Sequence, residues 1–261
     1  MYRFINATIT IAARDFTKFL KDRGRIIASL IFPAIFTGIL GSANQASFGD
    51  MLPYNFLLFT FIGTMTNTMY QSTTQGIVSL LEDRETDFAQ EMFVAPISRF
   101  TIIFGKIMGE TLVATVMLIS QLSLVFILQI PFDFTKLLPM FPALLLVAML
   151  GGSLGMVIIS FLTNQKSANQ IFGFILFPQF FLAGIFTPVK EFEGVLFYLS
   201  RIAPLTYGVD LVRNIYYGSN SVAGKSFILF PIWVDFFVVI SFFLVFSCMG
   251  VYMFIRNEKN K

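Results

Sequence analysis

The sequence predicts an all-α integral membrane protein. Its expected form is six transmembrane helices, an N-terminal amphipathic helix at the interface, and a re-entrant external helical element between spans five and six. Three observations carry this expectation. Only 13% of the 261 residues are charged, about half of the roughly 25% usual in soluble domains. Hydrophobic residues make up 56%, and the 34 phenylalanines would leave large apolar patches facing water on a soluble fold. Six stretches also approach the about 20 mostly apolar residues that a hydrocarbon crossing needs: residues 26–43, 54–79, 101–129, 140–161, 171–186 and 232–255. Residues 1–25 form the interfacial segment and 26–261 one six-helix domain, with neither internal repeats nor low-complexity segments.

The composition also excludes chemistry. With no histidine and one cysteine, Cys248, the chain cannot close an internal disulfide or build a Cys/His metal site. It offers no catalytic residues of the histidine acid–base or Ser-His-Asp kind. A net charge of +3 is too small to imply a nucleic-acid partner; the partner implied is the lipid bilayer.

Each element follows from its pattern. In the leader, at 100° per residue, Phe4, Ile5, Ile9, Ala12, Phe16, Phe19 and Leu20 share one face. Arg3, Arg14, Lys18, Lys21 and Arg25 share the other, the pattern of a helix lying in the membrane surface against anionic headgroups. It serves as a topological anchor or as a lever against the bundle. The run 26–40 followed by Gly41-Ser42-Ala43 also resembles a cleavable signal, although Pro33 in mid-run and the patterned leader argue against cleavage. Span two carries a polar stripe, Thr60, Thr64, Asn67, Gln71 and Gln75, within about a quarter of the helix circumference. Such a stripe either hydrogen-bonds between helices or lines a path, and a dimer seam would allow both.

The loop of about 80–99 gathers acids that are scarce elsewhere: Glu82, Asp83, Glu85, Asp87 and Glu91, against Arg84 and Arg99. Phe88, Met92 and Phe93 give it one short amphipathic helix that Pro96 stops, a docking element at the membrane surface. In span three, Lys106 and Glu110 are expected to snorkel to the surface, as is Asp235 in span six, because charge deep in lipid costs about 2.5–3.5 kcal/mol. The stretch of about 177–217, with Pro178, Gly184, Pro188, Gly194, Pro204 and Gly208, is too broken for a span and is expected to form external short helices. Within it Asp210 and Arg213, three apart, are expected to pair as a local clasp in preference to contacting cargo. Lysine and arginine number thirteen on the side of the termini and five on the other, so both termini are expected in the cytoplasm.

Arg84-Glu85, Val94-Ala95-Pro96-Ile97-Ser98-Arg99 and Gly105-Lys106 resemble the cytoplasmic loop of ABC-2 type transporter permeases. Leu182-Ala183-Gly184-Ile185-Phe186-Thr187-Pro188 resembles that family's Gly-x-x-x-Pro end of span five. Pro204-Leu205-Thr206-Tyr207-Gly208-Val209-Asp210-Leu211-Val212-Arg213 resembles its Pro-Leu-Thr-Tyr-x-x-Asp-x-x-Arg segment. The resemblance covers essentially the whole chain, with one departure: Asp87 and Phe88 stand where many relatives have Gly-Thr. It implies the membrane subunit of an exporter in the cell (plasma or inner) membrane, of the drug, lipid, lipo-oligosaccharide or polysaccharide type. Two such subunits, alike or different, would pair. Each would be held through the loop 80–99 by a separate ATPase subunit, two copies per assembly, that binds the ATP and Mg.

The chain's nearest approach to a phosphate-binding loop, Gly218 to Ser226, has five residues between Gly218 and Gly224-Lys225 where four are required. The engine is therefore expected elsewhere. Two rival functions fit less well. Asp83-x-x-x-Asp87 resembles the acidic motif of intramembrane prenyltransferases, but no second acidic cluster faces it. An ion-coupled transporter or channel would need an ionisable residue near the membrane midplane, and no span offers a convincing one.

Overall fold

A segment that crosses hydrocarbon must satisfy its backbone internally, and this chain does so with helices. The computed structural model describes residues 2–49, 51–85, 98–162 and 164–259, and among these no strand occurs. The leader is α1 (Tyr2–Lys21). Asp22 ends it and caps α2 (Arg23–Ile35) by accepting the Arg25 amide. Pro33 does not break α2; six residues of π-helix (Phe36–Gly41) follow and run into α3 (Ser42–Phe48). Then come α4 (Phe56–Gly76), α5 (Ser79–Glu85), α6 (Arg99–Gln121), α7 (Ser123–Ile127) and α8 (Leu137–Ser160). The chain ends with α9 (Gln165–Leu182), α10 (Gly194–Ile202), α11 (Pro204–Tyr217), α12 (Val222–Phe227) and α13 (Ile232–Lys259).

Among the described residues, four stretches are long and apolar enough to cross a membrane: Arg23–Phe48, Phe100–Ile127, Phe134–Ser160 and Ile232–Met253. The bent pair α10 and α11, meeting at 81°, makes a fifth if it counts as one span. The helices expected as spans two and five, α4 and α9, are long but fall short in apolar character. For α4 the polarity has a structural reason: it is the central helix. Phe59, Phe61, Ile62, Met65, Met69 and Tyr70 are fully or nearly fully buried, and so are Thr60, Thr64, Thr66, Thr73 and Thr74. Several of its threonines bond within the protein, Thr66 and Thr74 on carbonyls one turn back, whereas the buried Thr60 hydroxyl has no hydrogen-bond partner among the described residues.

Helix α8 packs on α4 through Gly151 and Gly155. A β-carbon at Gly151 would strike the Tyr70 carbonyl, and one at Gly155 would lie 2.6 Å from the Thr74 carbonyl oxygen. Small residues four apart let two helix backbones approach in this way. The approach brings Thr73 Oγ1 to 2.6 Å from the Ala148 carbonyl oxygen, to which it donates. Tyr70 crosses to α9 and donates its hydroxyl to Gln179 Oε1 at 3.1 Å.

The stretch 177–217 divides differently from the expectation. Pro178 lies inside α9, so residues 177–182 continue that helix. The chain turns only at Gly184, whose φ of +73° a side chain would disfavour.

Candidate coupling and transport site

The leader helix does more than rest on lipid. It runs alongside the first half of α6, with Ile11 and Ala12 against Gly105 and Gly109, and Phe19 buried with Val113 and Met117. The two glycines, four apart, permit this approach. Ile5, Ile9 and Leu20 are left exposed on α1, so the apolar face read from the sequence is split between protein and surroundings.

Along this seam lies an ion cluster that corrects three expectations. Lys106 does not snorkel: it is 1% exposed, and its Nζ donates to Asp15 Oδ1 at 2.9 Å and to Asp83 Oδ2 at 3.0 Å. Asp83, on α5, is also buried. It accepts from Lys18 Nζ at 3.0 Å and from both Nη atoms of Arg14, Nη1 at 3.0 Å. Glu110 is likewise buried and meets Arg25 Nη2 at 2.8 Å. The reason is common to all: a charge too far from water to reach it is stabilised only by an opposite charge with good hydrogen bonds. Burial works against ionisation of Asp83, but Arg14, Lys106 and Lys18 outweigh it and hold its carboxyl below the ordinary carboxylate range.

Of the residues expected in the docking loop, Glu82 is exposed and Asp83 faces inward. Arg84 and Glu85 belong to α5 and Arg99 opens α6. Asp87, Phe88, Glu91, Met92 and Pro96 lie outside the described residues. Since Asp83 is engaged by three cations, it is not a free ligand for a metal–diphosphate, which removes the first half of the prenyltransferase motif. Glu110, near the middle of the 23-residue α6 and expected to snorkel, is instead buried within the bundle and held by Arg25.

The structure divides the polar stripe of α4. Its upper part is an interface within the chain: Thr64 Oγ1 is 3.0 Å from Thr37 Oγ1 in the π-helical turn and accepts from Gln121 Nε2 at 3.2 Å, while Thr60 is fully buried. The lower part, Asn67, Gln71 and Gln75, lines an open cleft of about 300 Å³ between α2 and α4. Arg25, Ser29 and Ser72 add polar groups to its walls, and Phe32, Pro33 and Met117 add apolar surface. The two halves of the stripe thus have different surroundings, on different turns of one helix.

At the far end of the bundle the expected clasp is absent and two others replace it. Asp210 and Arg213 do not bond to each other. Asp210 accepts the backbone amides of Leu229 and Phe230 at 2.9–3.0 Å, just before α13. Arg213 donates to the carbonyl oxygens of Gly184 (2.7 Å), Ile185 (3.2 Å) and Phe59 (3.0 Å) and lies 3.5 Å from the Phe59 ring centroid. Backbone groups bind both buried charges: the chain just past α9, the chain just before α13 and the Phe59 carbonyl in the first turn of α4 supply them. Around this pair, Pro204 opens α11 and Pro188 precedes a turn of 3₁₀-helix. Tyr207 donates to the Arg201 carbonyl at 2.9 Å and stacks on Phe230. Asp235 is fully buried beside Asp210 and Asn214 instead of reaching the surface.

Sequence reasoning missed Asp15, the Arg25–Glu110 pair, and Thr37 and Gln121 as partners of Thr64. A signal existed for the first two. Asp15 interrupts the face of α1 that carries Ala12 and Phe19, and Lys106 and Glu110 each follow a glycine on α6. Acid on one apolar face and base beside small residues on another mark a close, ion-paired helix contact. Nothing in the sequence pointed to Thr37 or Gln121.

With this geometry in view, comparison with known proteins is informative. Residues 6–217 match the ABC-2 type transporter family. The chain is 23% identical over 228 residues to the putative transport permease ycf38 of Cyanophora paradoxa, covering 85% of this chain and 78% of the relative. It is also 23% identical over 201 residues to nodulation protein J of Rhizobium meliloti (strain 1021), covering 76% of each.

Proposed function

The chain belongs to the ABC-2 type transporter family, a family of membrane transport subunits, and from that membership we propose that it is the permease of an ATP-driven exporter. The observation that carries this reading is the family match over residues 6–217, which includes the loop 80–99. Two copies, or this chain and a different one, form the transport unit. Two ATPase subunits bound on the cytoplasmic side supply the ATP and Mg chemistry. The six long helical segments α2–α3, α4, α6–α7, α8, α9 and α13 cross the cell membrane with both termini in the cytoplasm, and α10 and α11 form the external re-entrant element. Helix α4 crosses despite its polarity because its polar groups face protein or the cleft between α2 and α4.

Docking falls to the acids of the loop other than Asp83, the exposed Glu82 first among them, because charge complementarity gives such an interface register more than raw affinity. Asp83 acts differently. Through Arg14, Lys18 and Lys106 it ties α5 to the leader and to α6, so motion at the loop reaches both. The leader is then a lever as well as an anchor. The cargo is lipophilic or amphipathic. The cleft between α2 and α4 suits it, with amides and hydroxyls beside Phe32, Pro33 and Met117. Because Glu110 neutralises Arg25, the cleft favours an uncharged hydrogen-bonding headgroup.

The test is purification of the tagged protein from its native membranes in mild detergent, with mass spectrometry of what accompanies it. A stoichiometric companion carrying a phosphate-binding loop, lost in the Glu82→Lys variant, is the expected result. If the protein comes out alone, and crosslinking through a cysteine placed in the loop 80–99 also captures no ATPase, the exporter reading fails.

A further inference from the structure

Helices α8 and α13 touch closely near the leader end of the bundle, where a β-carbon on Gly250 would lie 3.0 Å from Met156 Cβ. At the far end they part. Between them and α11 opens a groove of about 590 Å³, lined among others by Pro139, Pro142, Leu146, Ile215, Trp233 and Phe236. Short side chains on the α8 wall, the two prolines and Ala143, leave the space unfilled. The size is that of a ligand pocket, yet the walls are almost wholly apolar, so ordered water has no partners there.

We infer that this groove is a binding site for one acyl chain of a membrane phospholipid, whose phosphodiester is met at the mouth by Lys136. The groove opens on the flank of α8 and α13, both apolar enough to cross a membrane, so what lies against it is hydrocarbon. Trp233, 62% exposed in the first turn of α13, stands at the mouth in the position of an interfacial anchor. Lys136 is exposed one turn before Pro139, a lining residue of the groove, and so lies within side-chain reach of a headgroup there. The neighbouring Asp133 carboxylate is taken up by the amide and hydroxyl of Thr135. A chain seated here touches three elements at once, among them α11, which carries Asp210 and Arg213. Occupancy therefore fixes the external element against α8 and α13. The inference needs only that the helices are embedded in a bilayer and does not rest on the exporter reading.

Trp233 is the chain's single tryptophan, which makes the test direct. The full-length protein is reconstituted in phosphatidylcholine vesicles containing a rising fraction of phospholipid brominated on one acyl chain, and tryptophan quenching is followed. The control is a Trp233→Phe/Phe126→Trp double variant, with the reporter moved to the exposed Phe126 position on α7. Expected is a saturating quench of Trp233 at low brominated fraction, whereas the relocated tryptophan follows the bulk fraction. Leu146→Phe and Ile215→Phe, which fill the groove, should each remove the saturating component. With an anionic brominated lipid, Lys136→Glu should raise the half-quenching fraction about fivefold. Identical curves for the two tryptophan positions would overturn the proposal. So would the absence of quenching at Trp233, which would mean that a second copy of the chain covers the groove. The wild-type comparison decides the matter even if a filling variant fails to fold.

Discussion

Replacing Asp83 by Asn removes the charge on which Arg14, Lys18 and Lys106 converge while keeping the volume. Removing one partner of a buried ion pair costs about 3–5 kcal/mol. Here Lys106 keeps Asp15 at 2.9 Å, and the side chains of Arg14 and Lys18 are 25% and 48% exposed, so these two turn to water. The cost belongs at the low end, about 3 kcal/mol, a fall of about 6–12 °C in melting temperature for a chain of this size. The assay is thermal unfolding in mild detergent, followed by circular dichroism. The same change in a Lys106→Met background should cost less, because the buried ammonium that Asp83 neutralises is gone, with a coupling of about 2 kcal/mol. A shift under about 2 °C for the single variant, or equal shifts in both backgrounds, would refute the claim that Asp83 neutralises a buried Lys106.

Further outcomes are expected from the same physics. The folded-state pKa of Asp83 lies below its unfolded value, so its stabilisation is complete above the ordinary carboxylate range and is lost progressively as pH falls from that range towards the depressed folded-state value. Melting temperature should therefore hold between about pH 5 and 8 and fall below about pH 4, with a shallower fall in Asp83→Asn. Glu82→Lys should leave melting within about 0.5 kcal/mol of wild type but weaken ATPase capture in pull-down, whereas Asp83→Lys should fail to fold, as monitored by gel filtration. Arg213→Lys should cost about 2–3 kcal/mol in thermal unfolding, because an ammonium cannot span three carbonyls and stack on Phe59 together. Gly151→Leu should cost at least 1–3 kcal/mol by overpacking the α4–α8 contact, read by the same melts.

Composition and hydropathy alone settled that this chain lives in a membrane, because a soluble fold cannot hide so much apolar surface behind so few charges. Local patterning placed the helices to within a few residues: caps, apolar runs and turn glycines act over short range. The family was legible as well, since Pro96-Ile97-Ser98-Arg99 and the segment from Pro204 to Arg213 are contiguous words in the chain. What the sequence could not determine was the destination of each buried charge. Lys106, Glu110 and Asp235 read as snorkelling residues because a single helix in lipid offers no other relief; packing supplied Asp83 and Asp15 to Lys106 and Arg25 to Glu110, and buried Asp235 beside a second acid, Asp210. Asp210 and Arg213 stand three apart and invite a local pair. The tertiary structure instead brought backbone amides and carbonyls from residues 19 and 29 positions away, and these hydrogen-bond each buried charge separately. Asp83 is the sharpest case. It stands in a run of acids that reads as a single docking loop, but only the approach of the leader helix, through Gly105 and Gly109, decided that it faces inward.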